Sequence, residues 1–393
     1  MDWFKYLIIG GGMTADAAVK AIRQVDKDGP IAIVSQDTDP PYKRPPLTKK
    51  LWMGKPEDII RLHTEEQGAD IRLGRIVTAI DPANKRAVDD HGTEYGYEKL
   101  LLATGGTPKR LPFGAEGVIY FRTLADYRRL RELTERGERF VVIGGGFIGS
   151  EIAAALAMNN KRVTMIFPGT GIGDRVYPRE LSNFLVDYYR EHEIEVLAGD
   201  VPVDIGRKDD KYEVVTQSRR TIAADGVVVG IGITPNTELA EAAGLDVDNG
   251  IIVDGFLRTS HPDIYASGDV ANYYDMVLET RRRVEHEDNA VTMGNFAGLS
   301  MVGEGRPYNH TPYFYSDLFD LGYEAVGDLD VTLETFADWK EPFREGVIYY
   351  MHEGRVRGVL LWNVWDRVPA ATQLIAEPGP FTPDDLKGRI TSD

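Results

Sequence analysis

Two short glycine-rich segments have the residue types and the spacing that can hold a diphosphate group. Glycine in such a turn lets the backbone approach a pyrophosphate closely, and the start of the following helix stabilises its charge. The first segment fits G-x-G-x-x-A and the second fits G-x-G-x-x-G, at Gly10, Gly12 and Ala15, and at Gly144, Gly146 and Gly149. One match alone can be an ordinary glycine turn. Two matches predict two dinucleotide sites.

The residues around both glycine segments predict the elements that position them. The first reads KYLIIGGGMTADAAVKAIRQV followed by IAIVS, and the second reads RFVVIGGGFIGSEIAAALAMNNKRVTMIF. Each has an apolar strand, a glycine turn, an amphipathic or alanine-rich helix and a second strand, which is the order of a dinucleotide-binding unit. A protein with two dinucleotides most simply passes electrons between them. We therefore expect a flavin dinucleotide and a nicotinamide dinucleotide.

Three further segments mark domain exits or a possible sugar contact. Glycines and prolines interrupt the apolar runs LLLATGGTPKRLP and DGVVVGIGITPN, where the chain is expected to leave one domain for another. The strand-like IYASGD ends at Asp269. That carboxylate can accept hydrogen bonds from the hydroxyls of a sugar chain, although a helix-capping Asp would look the same in sequence.

Composition limits the classes of protein that fit. The chain has 393 residues, of which 42% are hydrophobic, and this length predicts two or three domains. The absence of cysteine excludes disulfides, thiolate metal sites and a redox-active cysteine pair, so redox chemistry requires a bound cofactor. A net charge of -17 argues against a nucleic-acid partner or an anionic membrane surface.

The apolar runs are too short for membrane insertion. None reaches the roughly 18 residues that a membrane span needs, and FKYLIIGGG predicts a strand entering a glycine turn rather than a signal peptide. The expectation is a soluble, cytoplasmic protein without a metal site.

Several motifs together resemble one family from end to end. They are PYKRPPLTKKLW, ATGGTP, GGGFIGSE, VEHEDNA, YFYSDLFDLGYEAVG and LWNVWDR. The chain resembles the FAD-dependent pyridine nucleotide reductases, and within them the apoptosis-inducing factor branch, which is close to the ferredoxin reductases of oxygenase systems. The resemblance implies an α/β fold with two Rossmann-like domains, the second inserted in the first, and a smaller α+β C-terminal domain. The expected bounds are 1–109 with 237–309 for FAD, 110–236 for NAD(P)H and 310–393 for the C-terminal domain.

The resemblance assigns a set of residues to FAD. Lys49 is expected beside the reactive edge of the flavin, with Glu151 as its partner and both as catalytic residues. Surface cations, or a glutamate that merely starts a helix, are the alternatives. The remaining FAD residues implied by the resemblance are Gly10, Gly12, Ala15, Gln36, Arg44, Thr104, Gly105, Arg122, Asp269, His286 and Tyr315. Arg122 can instead be a helix-surface residue, and His286, flanked by acids, can face solvent.

The resemblance assigns a second set of residues to NAD(P)H. The NAD(P)H residues are Gly144, Gly146, Ile148, Gly149, Glu151, Gly232 and Glu285.

Three places in the sequence depart from the family pattern. Gln36 stands where relatives bind the adenosine ribose of FAD with an acid, although Asp37 can substitute, and Tyr315 stands where relatives have Trp. Pro168, Gly169 and Thr170 follow the second strand, where NADH users commonly have an acid and NADPH users a base. Arg175 can reach a 2'-phosphate or be solvated, and NADH is favoured.

The sequence therefore predicts an oxidoreductase that takes hydride from NAD(P)H onto flavin N5 and passes electrons to an acceptor. The acceptor stays open between an acidic ferredoxin-type carrier, which a basic patch at Lys43, Arg44, Lys49, Lys50 and Arg281 to Arg283 could bind, and a quinone or oxygen. The alternative is a redox-responsive flavoprotein whose NADH-reduced charge-transfer state controls partner binding or formation of a homodimer. A protein that kept the fold and lost FAD is a third possibility.

Overall fold

A computed structural model of the chain describes residues 1–391. The strands are β1 (Asp2–Ile9), β2 (Ile31–Val34), β3 (Asp70–Arg72), β4 (Val77–Asp81), β5 (Arg86–Asp89), β6 (Glu94–Leu102), β7 (Gly106–Pro108), β8 (Ile119–Tyr120), β9 (Arg139–Ile143), β10 (Arg162–Phe167), β11 (Glu195–Ala198), β12 (Pro202–Lys208), β13 (Lys211–Thr216), β14 (Thr221–Ala224), β15 (Gly226–Val229), β16 (Ile233–Pro235), β17 (Ile251–Ile252), β18 (Ile264–Ala266), β19 (Ala271–Asp275), β20 (Thr280–Arg282), β21 (Tyr313–Leu318), β22 (Leu321–Gly327), β23 (Glu334–Glu341), β24 (Glu345–His352) and β25 (Arg355–Trp362). The α-helices are α1 (Met13–Val25), α2 (Leu124–Arg136), α3 (Phe147–Met158), α4 (Arg179–Glu191), α5 (Glu238–Ala242), α6 (Glu287–Met301), α7 (Val368–Ala376) and α8 (Pro383–Leu386).

The described chain divides into two compact units. Unit 1 consists of Met1–Pro45, Pro56–Thr107 and Thr234–Pro312. Unit 2 consists of Pro46–Lys55, Pro108–Ile233 and the chain from Tyr313 onward. The predicted division into an FAD domain, an NAD(P)H domain and a C-terminal domain stays a prediction.

Unit 1 is built on a mixed sheet with the strand order β3-β2-β1-β6-β5-β4, and β18 also pairs with β6. β1 runs parallel to both β2 and β6, so that Ile9 lies between Val34 and Leu102 at the carboxyl end of the sheet. Leu7 and Ile8 are fully buried, as expected for a parallel strand covered on both faces. The glycine turn that follows Ile9 is therefore held at the carboxyl edge of these strands.

Helix α1 packs closely against α6 through small residues. A Cβ added at Gly294 would lie 2.5 Å from the carbonyl oxygen of Thr14, and one at Gly298 would lie 2.5 Å from that of Ala18. The backbones of the two helices therefore approach closely at both glycines. This contact ties the first glycine turn to a helix near the end of unit 1.

Unit 2 contains a second, all-parallel sheet with the order β11-β10-β9-β15-β8. Helix α3 follows β9, and eight of its residues, from Gly149 to Leu156, are buried. An alanine-rich helix that is apolar around most of its circumference is expected to be buried in this way. Helix α2 begins at a capping box, in which Thr123 and Asp126 exchange hydrogen bonds with each other's backbone.

The C-terminal part of unit 2 is an antiparallel sheet with the order β21-β22-β25-β24-β23. Its aromatic residues form a core, as the sequence predicted. Tyr323 and Trp362 are fully buried and stacked, with ring centroids 5.6 Å apart and an interplanar angle of 9°. A third sheet in the unit, β12-β13-β14, is a small antiparallel one.

The predicted α/β class is confirmed by these parallel sheets and their covering helices. Within residues 1–391, the longest α-helix is α6, with 15 residues. None of the helices in that range has the length and apolar character needed to cross a membrane.

Candidate functional site

The first glycine turn combines tight packing with an open face. Gly10 has a φ of +110°, and a Cβ there would lie 2.1 Å from the carbonyl oxygen of Ala103, so only glycine fits. Gly12 caps α1 without a side-chain hydrogen bond, and a Cβ on it would meet nothing within 4 Å. Ala15 is fully buried in the first turn of the helix. The turn thus offers backbone amides at a helix start to an open space, which suits a diphosphate.

The second glycine turn repeats this arrangement in unit 2. Gly144 has a φ of +125°, and a Cβ on it would lie 2.2 Å from the carbonyl oxygen of Gly230. A Cβ on Gly149 would lie 2.0 Å from the carbonyl oxygen of Gly144, so helix α3 packs directly onto the turn. Gly146 caps α3 in the same extended conformation as the corresponding residue of unit 1 and has open space above it. The residues present in each turn fit a dinucleotide.

Lys49 and Glu151 form a buried ion pair within unit 2. Their side chains are only 8% and 6% exposed. Lys49 lies between two short 3-10 helices, Pro45–Thr48 and Lys50–Met53, and Glu151 lies in the first half of α3. Each charge offsets the cost of burying the other, so the ammonium and the carboxylate are stable together where neither would be stable alone.

Two hydroxyl groups complete the environment of the Glu151 carboxylate. Thr48 Oγ1 donates to Oε2 at 2.5 Å, and Ser316 Oγ donates to Oε1 at 2.5 Å. Both hydroxyl residues are buried, at 5% and 2% exposure. The carboxylate is therefore fixed by three donors from two separate segments of the chain, the loop at 48–49 and β21. The sequence pointed to Thr48 only as part of a loop motif and did not identify Ser316.

Tyr315 lies next to this cluster on β21. Its ring centroid is 5.4 Å from Lys49 Nζ, within the range of a cation-π contact. Its side chain is 37% exposed, in contrast to that of Ser316, because successive residues of a strand point to opposite faces. β21 thus supplies a hydroxyl to the buried pair and an aromatic ring at the surface of unit 2.

A pair of buried tyrosines lies behind the cluster. Tyr177 donates to the hydroxyl of Tyr323 at 2.8 Å, and burial raises the pKa of both phenols. Both tyrosines are therefore neutral at physiological pH. No pattern in the sequence marked Tyr177, because the contact joins a loop to a strand far away in the chain.

Three further residues that the sequence assigned to cofactors lie in unit 2, namely Ile148 and Gly232 for NAD(P)H and Arg122 for FAD. Ile148 is 38% exposed, so its side chain contributes to the surface beside the turn. Gly232 has a φ of +94°, and a Cβ added there would meet nothing within 4 Å. Arg122 precedes α2 rather than lying on it, is partly buried, and its backbone amide donates to Asp126 at 3.0 Å. Its interpretation as a helix-surface residue is therefore wrong.

The FAD residues predicted near β2 are arranged as follows in unit 1. Gln36 is exposed just after the strand, and Asp37 accepts a hydrogen bond from the hydroxyl of Tyr42 at 2.9 Å. The guanidinium of Arg44 lies 5.5 Å from the ring centroid of Tyr42. Lys43 is exposed. Gln36 is thus the more accessible of the two ribose candidates.

A second group of predicted FAD residues in unit 1 follows β6 and β18. Thr104 Oγ1 donates to the carbonyl oxygen of Asn236 at 2.8 Å, and Gly105 has a φ of +62°. Asp269 lies in a 3-10 helix after β18 and is partly buried, and its carbonyl oxygen accepts from Arg283 at 3.0 Å. His286 caps α6 and is partly buried. Burial lowers the pKa of its imidazole to about 4, so it is neutral at pH 7.

The predicted basic patch is smaller than the sequence suggested. Arg283 is only 10% exposed and pairs with Glu285 at 2.7 Å, and Arg282 is 20% exposed and lies 3.5 Å from Asp275. Lys49, in unit 2, is buried in its own ion pair. These cations are neutralised within their units. Binding of an acidic carrier by this patch stays a prediction, and counting positive residues does not reveal the acidic neighbours of these side chains.

Two dinucleotide turns and a buried lysine-glutamate pair define a class of protein, the flavin-dependent oxidoreductases that use a pyridine nucleotide. The chain belongs to the pyridine nucleotide-disulphide oxidoreductase family, whose model matches residues 4–294. Residues 297–342 and 337–377 match the C-terminal domain of the mitochondrion-associated apoptosis-inducing factor. Family membership implies FAD and NAD(P)H as cofactors and makes the protein an NAD(P)H-dependent FAD oxidoreductase.

Individual relatives cover nearly the whole chain. Apoptosis-inducing factor 1 of Dictyostelium discoideum is 32% identical and aligns with 95% of this chain and 79% of its own. The ferredoxin reductase subunit of 5,5'-dehydrodivanillate O-demethylase from a Sphingobium species is 35% identical over 91% of this chain and 89% of its own. The crystal structure of a covalent putidaredoxin reductase-putidaredoxin complex contains a chain with a TM-score of 0.89 and 29% identity, covering 98% of this chain and 95% of that one. The family resemblance predicted from the sequence motifs is confirmed.

Proposed function

We propose that the protein takes hydride from NADH onto FAD and passes the electrons one at a time to a ferredoxin-type carrier. The observation that carries the proposal is the buried pair of Lys49 and Glu151, held by Thr48 and Ser316. A ferredoxin-type acceptor is supported by the relative named as a ferredoxin reductase subunit and by the likeness to putidaredoxin reductase. Overall resemblance favours NADH over NADPH.

Bound FAD supplies the conversion of a two-electron hydride transfer into single-electron steps. The chain's own residues would bind and orient the cofactors. The glycine turns would hold the diphosphates, that of FAD at the turn of Gly12 and that of the nicotinamide coenzyme at the turn of Gly146. By resemblance to the family, the Lys49 cation would offset negative charge that develops on the flavin, and Glu151 keeps its ammonium group in place. With no cysteine in the chain, a thiol relay has no part in the reaction.

A second candidate is a redox-responsive flavoprotein of the apoptosis-inducing factor type. It is favoured by the C-terminal match to that protein and by the identity of 32% over most of the chain. In this case NADH reduction would change partner binding or oligomeric state, and turnover would be secondary. A quinone or oxygen would then be the terminal acceptor.

Anaerobic mixing of the FAD-loaded protein with NADH tests the proposal. We expect flavin bleaching, followed by rapid reoxidation when a ferredoxin-type carrier is added. Persistent reduction in the presence of carriers, together with a change in oligomeric state on size exclusion, would favour the second candidate. A protein that stays colourless after incubation with FAD would refute both.

The role of Lys49 is tested by comparison with its neighbour. Lys49→Ala is expected to slow NADH-dependent flavin reduction by roughly 100-fold, because preorganised charges of this kind contribute on that scale. Lys50→Ala removes the same charge from an exposed position and is expected to leave the rate within about twofold of the unsubstituted protein. Equal effects of the two substitutions would refute the assignment of Lys49.

A further inference from the structure

The loop after β10 in unit 2 contains no acidic residue at the strand end. Pro168, Gly169 and Thr170 follow Phe167 directly. In dinucleotide-binding folds, an acid at this place binds the ribose hydroxyls and disfavours a 2'-phosphate. From the sequence, charge at this position selects neither coenzyme.

The structure returns an acidic side chain to the strand end by folding the loop back. The amide of Gly173 donates to the carbonyl oxygen of Gly145, in the glycine turn, at 2.8 Å. The next residue, Asp174, turns its carboxylate onto Gly169, where an added Cβ would lie 2.0 Å from Asp174 Oδ2. Asp174 is the seventh residue after β10, but its carboxylate lies next to Gly169, the second residue after the strand.

Neighbouring contacts hold the loop in this conformation. Ser182, in α4, donates its hydroxyl to the carbonyl oxygen of Ile172 at 2.8 Å. The ring of Tyr177 packs on Gly173, where a Cβ would lie 2.2 Å from Cε2 of the ring. Both Ser182 and Tyr177 are buried. The position of Asp174 is therefore set by the packed part of unit 2.

A cavity of about 430 Å³ opens beside this carboxylate. Its charged lining residues are Asp174, Arg179 and Glu180, so acidic groups outnumber basic ones. Arg175, the cation that the sequence suggested for a 2'-phosphate, is exposed. The cavity is thus large enough for part of a nucleotide and has the wrong charge balance for an additional phosphate.

We propose that Asp174 is the residue that selects NADH over NADPH, by accepting hydrogen bonds from the adenosine ribose and repelling a 2'-phosphate. This inference rests on the proposed function, because it assumes that the second turn binds the nicotinamide coenzyme. In the usual pattern, the acid that selects the coenzyme lies at the end of the strand. Here the acid comes from the loop that folds back towards the strand end.

Two measurements on FAD-loaded Asp174→Asn test the assignment. The first is the ratio of kcat/KM for NADPH to that for NADH. This ratio is expected to rise about tenfold or more, because the substitution removes a negative charge that would lie close to the 2'-phosphate. The second is equilibrium binding of ADP-ribose and of its 2'-phosphate derivative by calorimetry, which does not depend on turnover. The preference for the unphosphorylated ligand is expected to fall by a similar factor. Asp174→Ser serves as a second variant if the first does not fold.

Two control variants separate this role from general charge effects. Asp187→Asn removes the same charge from α4, at a side chain that is 74% exposed. The ratio of kcat/KM for NADPH to that for NADH is expected to stay within roughly twofold of that of the unsubstituted protein. Arg175→Ala is expected to leave NADPH use unchanged, and a selective loss of it would assign the phosphate site to Arg175 instead. An unchanged ratio in Asp174→Asn with NADH reduction intact would overturn this inference alone. Failure of NADH to reduce the unsubstituted protein would overturn the proposed function.

Discussion

At the scale of single residues, the Lys49 and Glu151 pair depends on donors that the sequence does not place together. The carboxylate accepts from a lysine, a threonine and a serine, and all four side chains are buried. A buried charge is tolerated only when each of its partners is present. Loss of any one partner is thus expected to affect the others.

A double-mutant cycle measures this dependence. Lys49→Met leaves Glu151 buried without its counter-ion and is expected to lower the free energy of unfolding by about 3–5 kcal/mol. Glu151→Gln in the same chain removes the stranded charge while keeping acceptor and donor groups for Thr48 and Ser316. The double variant should therefore be less destabilised than the sum of the single changes, as measured by chemical denaturation. Additive losses would show that the pair does not act as a unit.

Sequence predicts the geometry of single residues where a motif reflects the local backbone conformation. The glycines of both turns were identified because their spacing reflects a backbone that only glycine can adopt or approach. Ser316 and Asp174 were missed for a different reason. Their positions depend on contacts between segments that are distant in sequence, or on a loop that reverses its direction.

At the scale of elements, the close contact of α1 with α6 fixes the first dinucleotide turn. Gly294 and Gly298 face the carbonyl oxygens of α1, so no side chain separates the two helices at these points. Amphipathic patterning predicted α1, but it could not predict its partner, which lies more than 260 residues further along the chain. The same limit applies to β18, whose three residues join the sheet beside β6.

Gly294→Ala tests this packing. The added methyl group would lie 2.5 Å from the carbonyl oxygen of Thr14 and 3.0 Å from the Cβ of Ala17, so the helices must move apart. We expect a loss of about 1–3 kcal/mol in the free energy of unfolding, and a weaker affinity for FAD. Gly206→Ala is the matched control, because a Cβ at Gly206 would meet nothing within 4 Å. Equal stability of the two variants in chemical denaturation would contradict the packing argument.

At the scale of the whole molecule, net charge dominates any encounter with an acidic carrier. The chain has 62 acidic and 45 basic residues, for a net charge of -17. The arginines at 282 and 283, expected to offset this locally, are already paired with acids. Long-range repulsion between like-charged proteins slows association and is screened by salt.

Turnover with an acidic ferredoxin-type carrier should therefore respond to ionic strength. We expect kcat/KM for the carrier to rise severalfold from roughly 0.01 M to 0.15 M salt, as the screening length shortens from about 30 Å to about 8 Å. The rate of flavin reduction by NADH, measured separately, provides the control for effects of salt on the enzyme itself. A carrier-dependent rate that falls with salt would indicate a local basic docking surface strong enough to outweigh the net charge.

The pairing of α1 with α6 also sets an order of events during synthesis. The parallel sheet of unit 2 is complete once residue 229 has left the ribosome, whereas α1 must wait for residues 287–301. The N-terminal glycine turn is thus made first, yet its helix acquires its packing partner late. Under the proposed assignment of FAD to the first turn, chains cut short ahead of α6 are therefore expected to fail to retain the flavin.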